Sequence, residues 1–246
     1  MDYKVNHPTK THTRYHELLQ CTTKQIYSVI KRRRKEMPKF ESNSTVFGSL
    51  RHEMFLEESR KTGLTPVAFG RFSLPVDIIE EEFETEIIPG VVLHSRPDAV
   101  SLSEFTVVDY KTKKQLTNIK VADRDKAPSK YFDLDLKPQY RLIKEDMKKG
   151  IEIPGIESTL MPVNRHAGLL RNDRQLSTYA YQLYAKGHVI KKSIYMVEVW
   201  DREELKILGY DYLEKDITLT DIMVNKKWLA ERAMLLASAL RAHQMV

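Results

Sequence analysis

Cysteine is almost absent: Cys21 is the single one in 246 residues. One thiol cannot close an intrachain disulfide, hold an iron–sulfur cluster or complete a four-thiolate zinc site, so Cys21 reads as a buried, inert thiol. Also missing is any apolar run near the ~20 residues that cross a bilayer, which excludes a membrane-spanning helix. The first residues, MDYKVNHPTKTHTRYHELL, have no apolar centre of the kind a signal peptide needs. The expected location is therefore the cytoplasm, or the cytosol of a host cell, with no membrane partner. There is no Walker-type glycine loop, which excludes a P-loop motor. No internal repeat or low-complexity tract occurs.

What is present is an ordinary globular composition, 41% hydrophobic and 30% charged, enough for a real core. The length fits a single domain over residues 1–246 with sizeable insertions. A formal charge of +6 and a pI of about 9.1 are compatible with a polyanionic partner without requiring one.

Residues 1–20 are polar and read as an extension that is partly ordered at best. A helix is expected over 23–35, capped by Thr22 or Thr23 and ended before Pro38. A second is expected over 45–60, with Val46, Phe47, Leu50 and Met54 as its apolar stripe. Residues 82–88, 91–100 and 105–111 read as three strands of an antiparallel meander, with a Pro89-Gly90 turn. Residues 112–170 mix lysine, proline and glycine around one helical piece near 139–149, and read as an insertion. A helix over 173–186 closed by Gly187, strands over 193–200 and 205–212, and a terminal helix over 220–243 complete the chain. The expected class is α/β: a central mixed sheet of about five strands flanked by helices.

The chemistry concentrates where the third strand ends, in Val107-Val108-Asp109-Tyr110-Lys111. Alternation along a strand puts Asp109 and Lys111 on one face. An acid and an amine at the end of an apolar strand need partners, and a divalent cation with a phosphate would supply them. Asp98 lies eleven residues earlier, after Pro97. A turn over 101–104 would bring the two strands together, so that both carboxylates converge on one hard cation. Such a cation polarises a phosphate and acidifies a bound water. Lys111 beside it would orient the water or offset developing charge, and the Tyr110 backbone carbonyl could add a ligand. Gly48 and His52 share a helix face one turn apart, as do Gln175 and Tyr179. A glycine above the histidine leaves room for close approach.

The Pro97-Asp98 … Asp109-Tyr110-Lys111 arrangement resembles the PD-(D/E)XK nuclease superfamily, and within it the RecB-type exonuclease branch. Gly48-Ser49-Leu50-Arg51-His52 is similar to that branch's GxxxH helix motif. Asp109-Tyr110-Lys111-Thr112 matches its DYKT signature, and Gln175-Leu176-Ser177-Thr178-Tyr179 its QxxxY motif. The resemblance runs over about residues 44–200 with one long interruption. It implies a restriction-endonuclease-like core and Mg²⁺- or Mn²⁺-dependent DNA cleavage, acting as an exonuclease on single strands or duplex ends. Asp98, Asp109 and Lys111 would be catalytic. His52, Asp98, Asp109 and the Tyr110 carbonyl would hold the metal, with the imidazole favouring Mn²⁺. Gln175 and Tyr179 would place substrate. The resemblance leaves phage recombination, DNA repair and CRISPR adaptation open as the setting, with a recombination or repair protein as a candidate partner. The lone cysteine separates this chain from cluster-bearing members of the branch.

Lys113 and Lys114, with Lys120, follow the catalytic strand and are expected along the substrate path. Lys31-Arg32-Arg33-Arg34-Lys35 reads equally as a phosphate clamp or a solvated helix end. Tyr131 and Phe132 read as core of the insertion ahead of base-stacking platforms. Glu84 or Glu86 is a weaker candidate for a further acidic ligand, and His94 and His166 have no evident partner. The 112–170 insertion would either arch over the site or dock a partner. Two rival readings stand beside the exonuclease: a structure- or sequence-specific endonuclease on the same site, and a catalytically silent module that binds DNA or protein.

Overall fold

The computed structural model describes residues 11–19, 43–70, 72–123, 125–131, 142–147, 149–201 and 203–242. The expected helix over 23–35, Cys21, the basic cluster 31–35 and Phe132 lie outside the described residues.

The centre is a five-stranded mixed sheet in the order β10-β9-β6-β5-β2. β6 (Thr106–Lys114) and β9 (Lys192–Trp200) pair in parallel along their whole length. β10 (Ile207–Asp216), β5 (Ala99–Ser101) and β2 (Ile78–Ile79) join antiparallel. The largely apolar run of β9 and the Val107-Val108 pair of β6 follow from burial on both faces. On one face Val107, Tyr195 and Val197 pack with Leu176 and Leu183 of a helix at Gln175–Ala185, and with Leu229 and Leu236 of a helix at Leu219–Ala242. On the other, Val108, Tyr110, Ile194 and Met196 meet Phe55 and Leu56 from a helix at Asn43–Thr62. With a one-turn helix at Tyr15–Leu18 as α1, these are α3, α4 and α2 respectively. Strand alternation then decides where the polar end of β6 points: Asp109 and Lys111 share the α3 face with Val107.

The fold departs from expectation in two places, the first and third below, and adds detail in the second. First, residues 91–100 are not one strand. β4 (Val91–Ser95) pairs with β3 (Phe83–Ile88) in a separate three-stranded sheet, while β5 belongs to the central one. Pro97 lacks the N–H that a continuing ladder needs, so the chain leaves one sheet there and enters the other. The meander is thus divided between two sheets.

Second, part of the N-terminal stretch is well built. β1 (Thr11–Arg14) pairs in parallel with β4, and Tyr15 and Leu18 are buried. Polar composition hid this because an edge strand buries little of itself, and two apolar side chains suffice to dock the turn that follows.

Third, the apolar stripe of α2 faces outward. Val46, Leu50 and Met54 are 45%, 62% and 55% exposed, whereas Phe55, Leu56 and Ser59 are buried. Phe47 of the stripe stacks on Trp200, ring centroids 4.2 Å apart. The helix is rotated by stronger demands on the other side. A Cβ on Gly48 would lie 2.8 Å from Thr112 Oγ1, so only glycine lets α2 come this close to β6. Arg51 reaches across to Glu198 on β9 in a two-pronged ion pair, with Nε 2.9 Å from Oε1 and Nη2 2.5 Å from Oε2.

Within 112–170, β6 runs on to Lys114, and β7 (Thr117–Val121) pairs antiparallel with β8 (Ile156–Leu160). A small separate core of Ile119, Tyr131, Ile143 and Ile153 lies beside this pair. Gly155 closes the loop with a φ of +72°, where a side chain would also collide with Asp123 O. Among the described residues no helix is long and apolar enough to cross a membrane.

Candidate active site

Asp98 sits in the break between β4 and β5, where leaving one sheet and entering the next frees its side chain from either ladder. It is buried, and its Oδ2 accepts the Tyr110 backbone N–H at 2.7 Å. Its Oδ1 lies 3.0 Å from His52 Nε2, which comes in on α2. The hydrogen bond to Asp98 raises the His52 pKa against the opposing effect of burial.

Asp109 and Lys111 extend from β6 on the α3 side. Lys111 Nζ lies 2.6 Å from Asp109 Oδ2 and donates to Gln175 Oε1 at 3.0 Å. The Gln175 amide completes a ring by donating from Nε2 to Asp109 Oδ1 at 3.1 Å and to the Tyr179 hydroxyl. Burial pushes the Asp109 carboxyl up to about 7, opposed by the Lys111 charge and helped by Asp98. Burial alone would depress Lys111, but the Asp109 and Asp98 charges outweigh it and its pKa is raised.

The structure thus brings the six side chains into two linked groups, His52–Asp98 and Asp109–Lys111–Gln175–Tyr179. They are not one compact cage. Among the described residues, His52, Asp98 and Asp109 do not form a set whose donor atoms all lie within 4.8 Å of one another. The reason is the sheet itself: His52 arrives from the α2 face, Asp109 points to the α3 face, and Asp98 lies at the strand end between them. Lys113 is half-buried, its pKa lowered by burial and by Lys111, and Lys114 is exposed.

The donor set is one imidazole and two carboxylates, which suits a divalent cation of the Mg²⁺/Mn²⁺ kind. Two features of the geometry agree with it. The 3.0 Å between His52 Nε2 and Asp98 Oδ1 is the spacing of adjacent ligands, each about 2.1 Å from one octahedral ion. Asp109 Oδ2 is buried against the Lys111 ammonium 2.6 Å away, a carboxylate oxygen kept from water beside a positive charge.

No family model matches the chain. No curated protein matches it either. Among solved structures it is similar to a phage-related exonuclease from Haemophilus somnus 129PT, at 12% identity and a TM-score of 0.48 over 96% of this chain and 97% of that one. It is also similar to LHK-Exo, an alkaline exonuclease from Laribacter hongkongensis, at 10% identity and a TM-score of 0.42 over 95% and 92% of the two chains. LHK-Exo in complex with dAMP gives 11% identity and a TM-score of 0.42 over 96% and 92%. Likenesses this slight carry no argument about activity.

Several residues around the site escaped the sequence reading. Glu84 and Glu86 were the acids weighed as further ligands, but Glu84 turns to His94, and Glu86 accepts the Gly90 N–H. A further acid whose charge reaches His52, after Asp98 and Asp109, is Glu80, held between Arg60 at 2.7 Å and Arg96 at 3.1 Å. Its φ of 49° at the entry to β3 has no sequence signature beyond the Glu80-Glu81-Glu82 run. Asp173 Oδ1 accepts both the Gln175 N–H and the Tyr15 hydroxyl, which fixes the first turn of α3. His94 and His166 also have partners. His166 is fully buried, and its Nε2 accepts the Leu116 N–H at 3.2 Å, a structural role.

Proposed function

We propose that this chain is a divalent-metal-dependent deoxyribonuclease of the PD-(D/E)XK superfamily, RecB-type branch, acting as an exonuclease on DNA. The observation that carries the reading is the Lys111 ammonium held between Asp109 and Gln175, beside a His52–Asp98 pair at ligand spacing. An apolar strand end does not gather two acids, an amine and an imidazole for packing. Burial penalises every one of them.

Mg²⁺ or Mn²⁺ would be held by His52, Asp98, Asp109 and the Tyr110 carbonyl, and would supply Lewis-acid polarisation of a phosphate and a more acidic water. The protein groups do the positioning. The Tyr110 N–H fixes Asp98 so that its other oxygen faces His52. Gln175 holds Lys111 and Asp109 at once, and the Tyr179 hydroxyl fixes that amide in turn. Lys111 then presents a fixed positive charge where negative charge grows on the phosphate. Lys113 and Lys114 continue along β6 and would follow the DNA backbone by charge.

The exonuclease reading makes a direct demand. End-labelled linear DNA should be degraded with Mg²⁺ or Mn²⁺, and covalently closed circles should survive the same incubation. Cut circles would favour the endonuclease alternative on the same residues.

The fit of α2 against β6 is open to its own test. Gly48→Ala should lower the cleavage rate about tenfold, because the added methyl pushes the His52 helix off Thr112, and sub-ångström misplacement is costly at a reacting centre. Alanine favours a helix over glycine by about 1 kcal/mol, so the helix itself is not weakened. Adding Thr112→Ala, which removes the colliding oxygen, should restore the rate. A steady-state comparison of the single and double variants reads this directly.

A further inference from the structure

Away from this site, a trio of metal-binding side chains comes together among the described residues. His12, Glu84 and His94 each offer a donor atom, and these atoms all lie within 4.8 Å of one another. The register of the smaller sheet explains the meeting. Glu84 is the direct partner of His94 in the β3–β4 ladder. Arg14 is the partner of His94 in the β1–β4 ladder, so His12, two residues back, projects from the same face. The strand order β1-β4-β3 then sets the three side chains across one surface.

His12 Nδ1 and His94 Nε2 face each other 2.5 Å apart, so the two rings already point a nitrogen each at one place. The far nitrogen of His94, Nδ1, lies 3.2 Å from Glu82 Oε1 and 3.3 Å from Glu84 Oε1. A carboxylate on the second nitrogen of an imidazole orients a histidine whose first nitrogen ligates a metal, a part that Glu82 keeps when Glu84 turns to the ion.

We propose that His12, Glu84 and His94 form a second metal site, for a divalent transition ion of the zinc class, which fastens β1 to the sheet. Paired imidazoles select zinc and its neighbours over magnesium, and two imidazoles with one carboxylate is a common zinc set. Nitrogens bound to one tetrahedral ion stand about 3.3 Å apart, so the rings need part by less than about 1 Å. His12 is exposed on an edge strand and can make that movement. β1 has four residues, and an ion tied to β3 and β4 adds what so short a strand lacks in ladder bonds. The strand leads directly into Tyr15, whose hydroxyl reaches Asp173 and the Arg174 N–H at the start of α3. Fixing β1 therefore steadies the lock on the helix that carries Gln175.

The test needs no nuclease assay. Untagged protein is titrated with Zn²⁺, and with Co²⁺ followed by its visible absorption, in the wild type and in His12→Ala, Glu84→Gln, His16→Ala and Asp98→Asn variants. The wild type should bind one equivalent that Asp98→Asn does not remove, and melt at higher temperature with Zn²⁺. His12→Ala and Glu84→Gln should weaken binding at least about tenfold and abolish the thermal shift. His16→Ala and Asp98→Asn should retain both. The proposal is overturned if His12→Ala binds like wild type, if His16→Ala weakens binding equally, or if Asp98→Asn removes the bound ion.

Discussion

Lys111→Ala should cut the rate of DNA cleavage about 10²–10³-fold while leaving affinity for DNA within a few-fold of wild type. The asymmetry follows from what the ammonium touches. It is held by Asp109 and Gln175, not displayed on the surface, so it adds little to general attraction for a polyanion. Its value is a charge already in place when the phosphate becomes more negative, which costs no reorganisation at that moment. The variant also leaves a buried carboxylate without its counter-charge, so a thermal melt must accompany the assay. Lys111→Met keeps the stem and serves as the second variant: it should be as inactive as the alanine while packing better. Full cleavage by both variants would remove Lys111 from the mechanism, and inactivity of the wild type with Mn²⁺ on every DNA would favour the binding module.

Arg51→Ala should destabilise the fold by about 3 kcal/mol, the lower end of the cost of stranding one partner of a buried ion pair. Glu198 is fully buried in the middle of the central sheet, and both of its oxygens are taken by the guanidinium. Without Arg51 the carboxylate must be protonated, hydrated or expelled. The lower end applies because Arg51 is 17% exposed, so water can reach the gap. For a chain of this size such a loss lowers the melting temperature by roughly 6–12 °C. The pair Arg51→Met with Glu198→Leu removes both charges and should recover most of the loss, since apolar replacements of buried ion pairs are often neutral or better. A melt within a degree of wild type for Arg51→Ala would contradict this account. Because Arg51 precedes His52, the single variant should also impair cleavage at temperatures where the protein is still folded.

The parts of this molecule that were legible in the sequence are those where local pattern and burial agree. β9 and the Val107-Val108 start of β6 are apolar because the sheet is covered on both faces there, and the strand ends fall near the expected residues. Strand alternation puts Asp109 and Lys111 on one face, while a place for Gln175 beside them rests on the family resemblance alone. α2 was misread because two stripes compete on it, and the one that wins holds a glycine and an arginine whose partners, Thr112 and Glu198, are remote in sequence. The divided meander turned on one proline, whose missing N–H ends a ladder without announcing that a second sheet begins. β1 was invisible for a simpler reason: its partner is 80 residues away and its own side chains are polar.

The candidate site draws its imidazole from one side of the central sheet and its amine and amide from the other. Neither helical layer alone holds a complete set. A chain emerging during synthesis, or one that has lost either layer to heat, would therefore carry only fragments of a cutting apparatus. For a protein proposed to break DNA, that arrangement makes the finished fold its own safety catch.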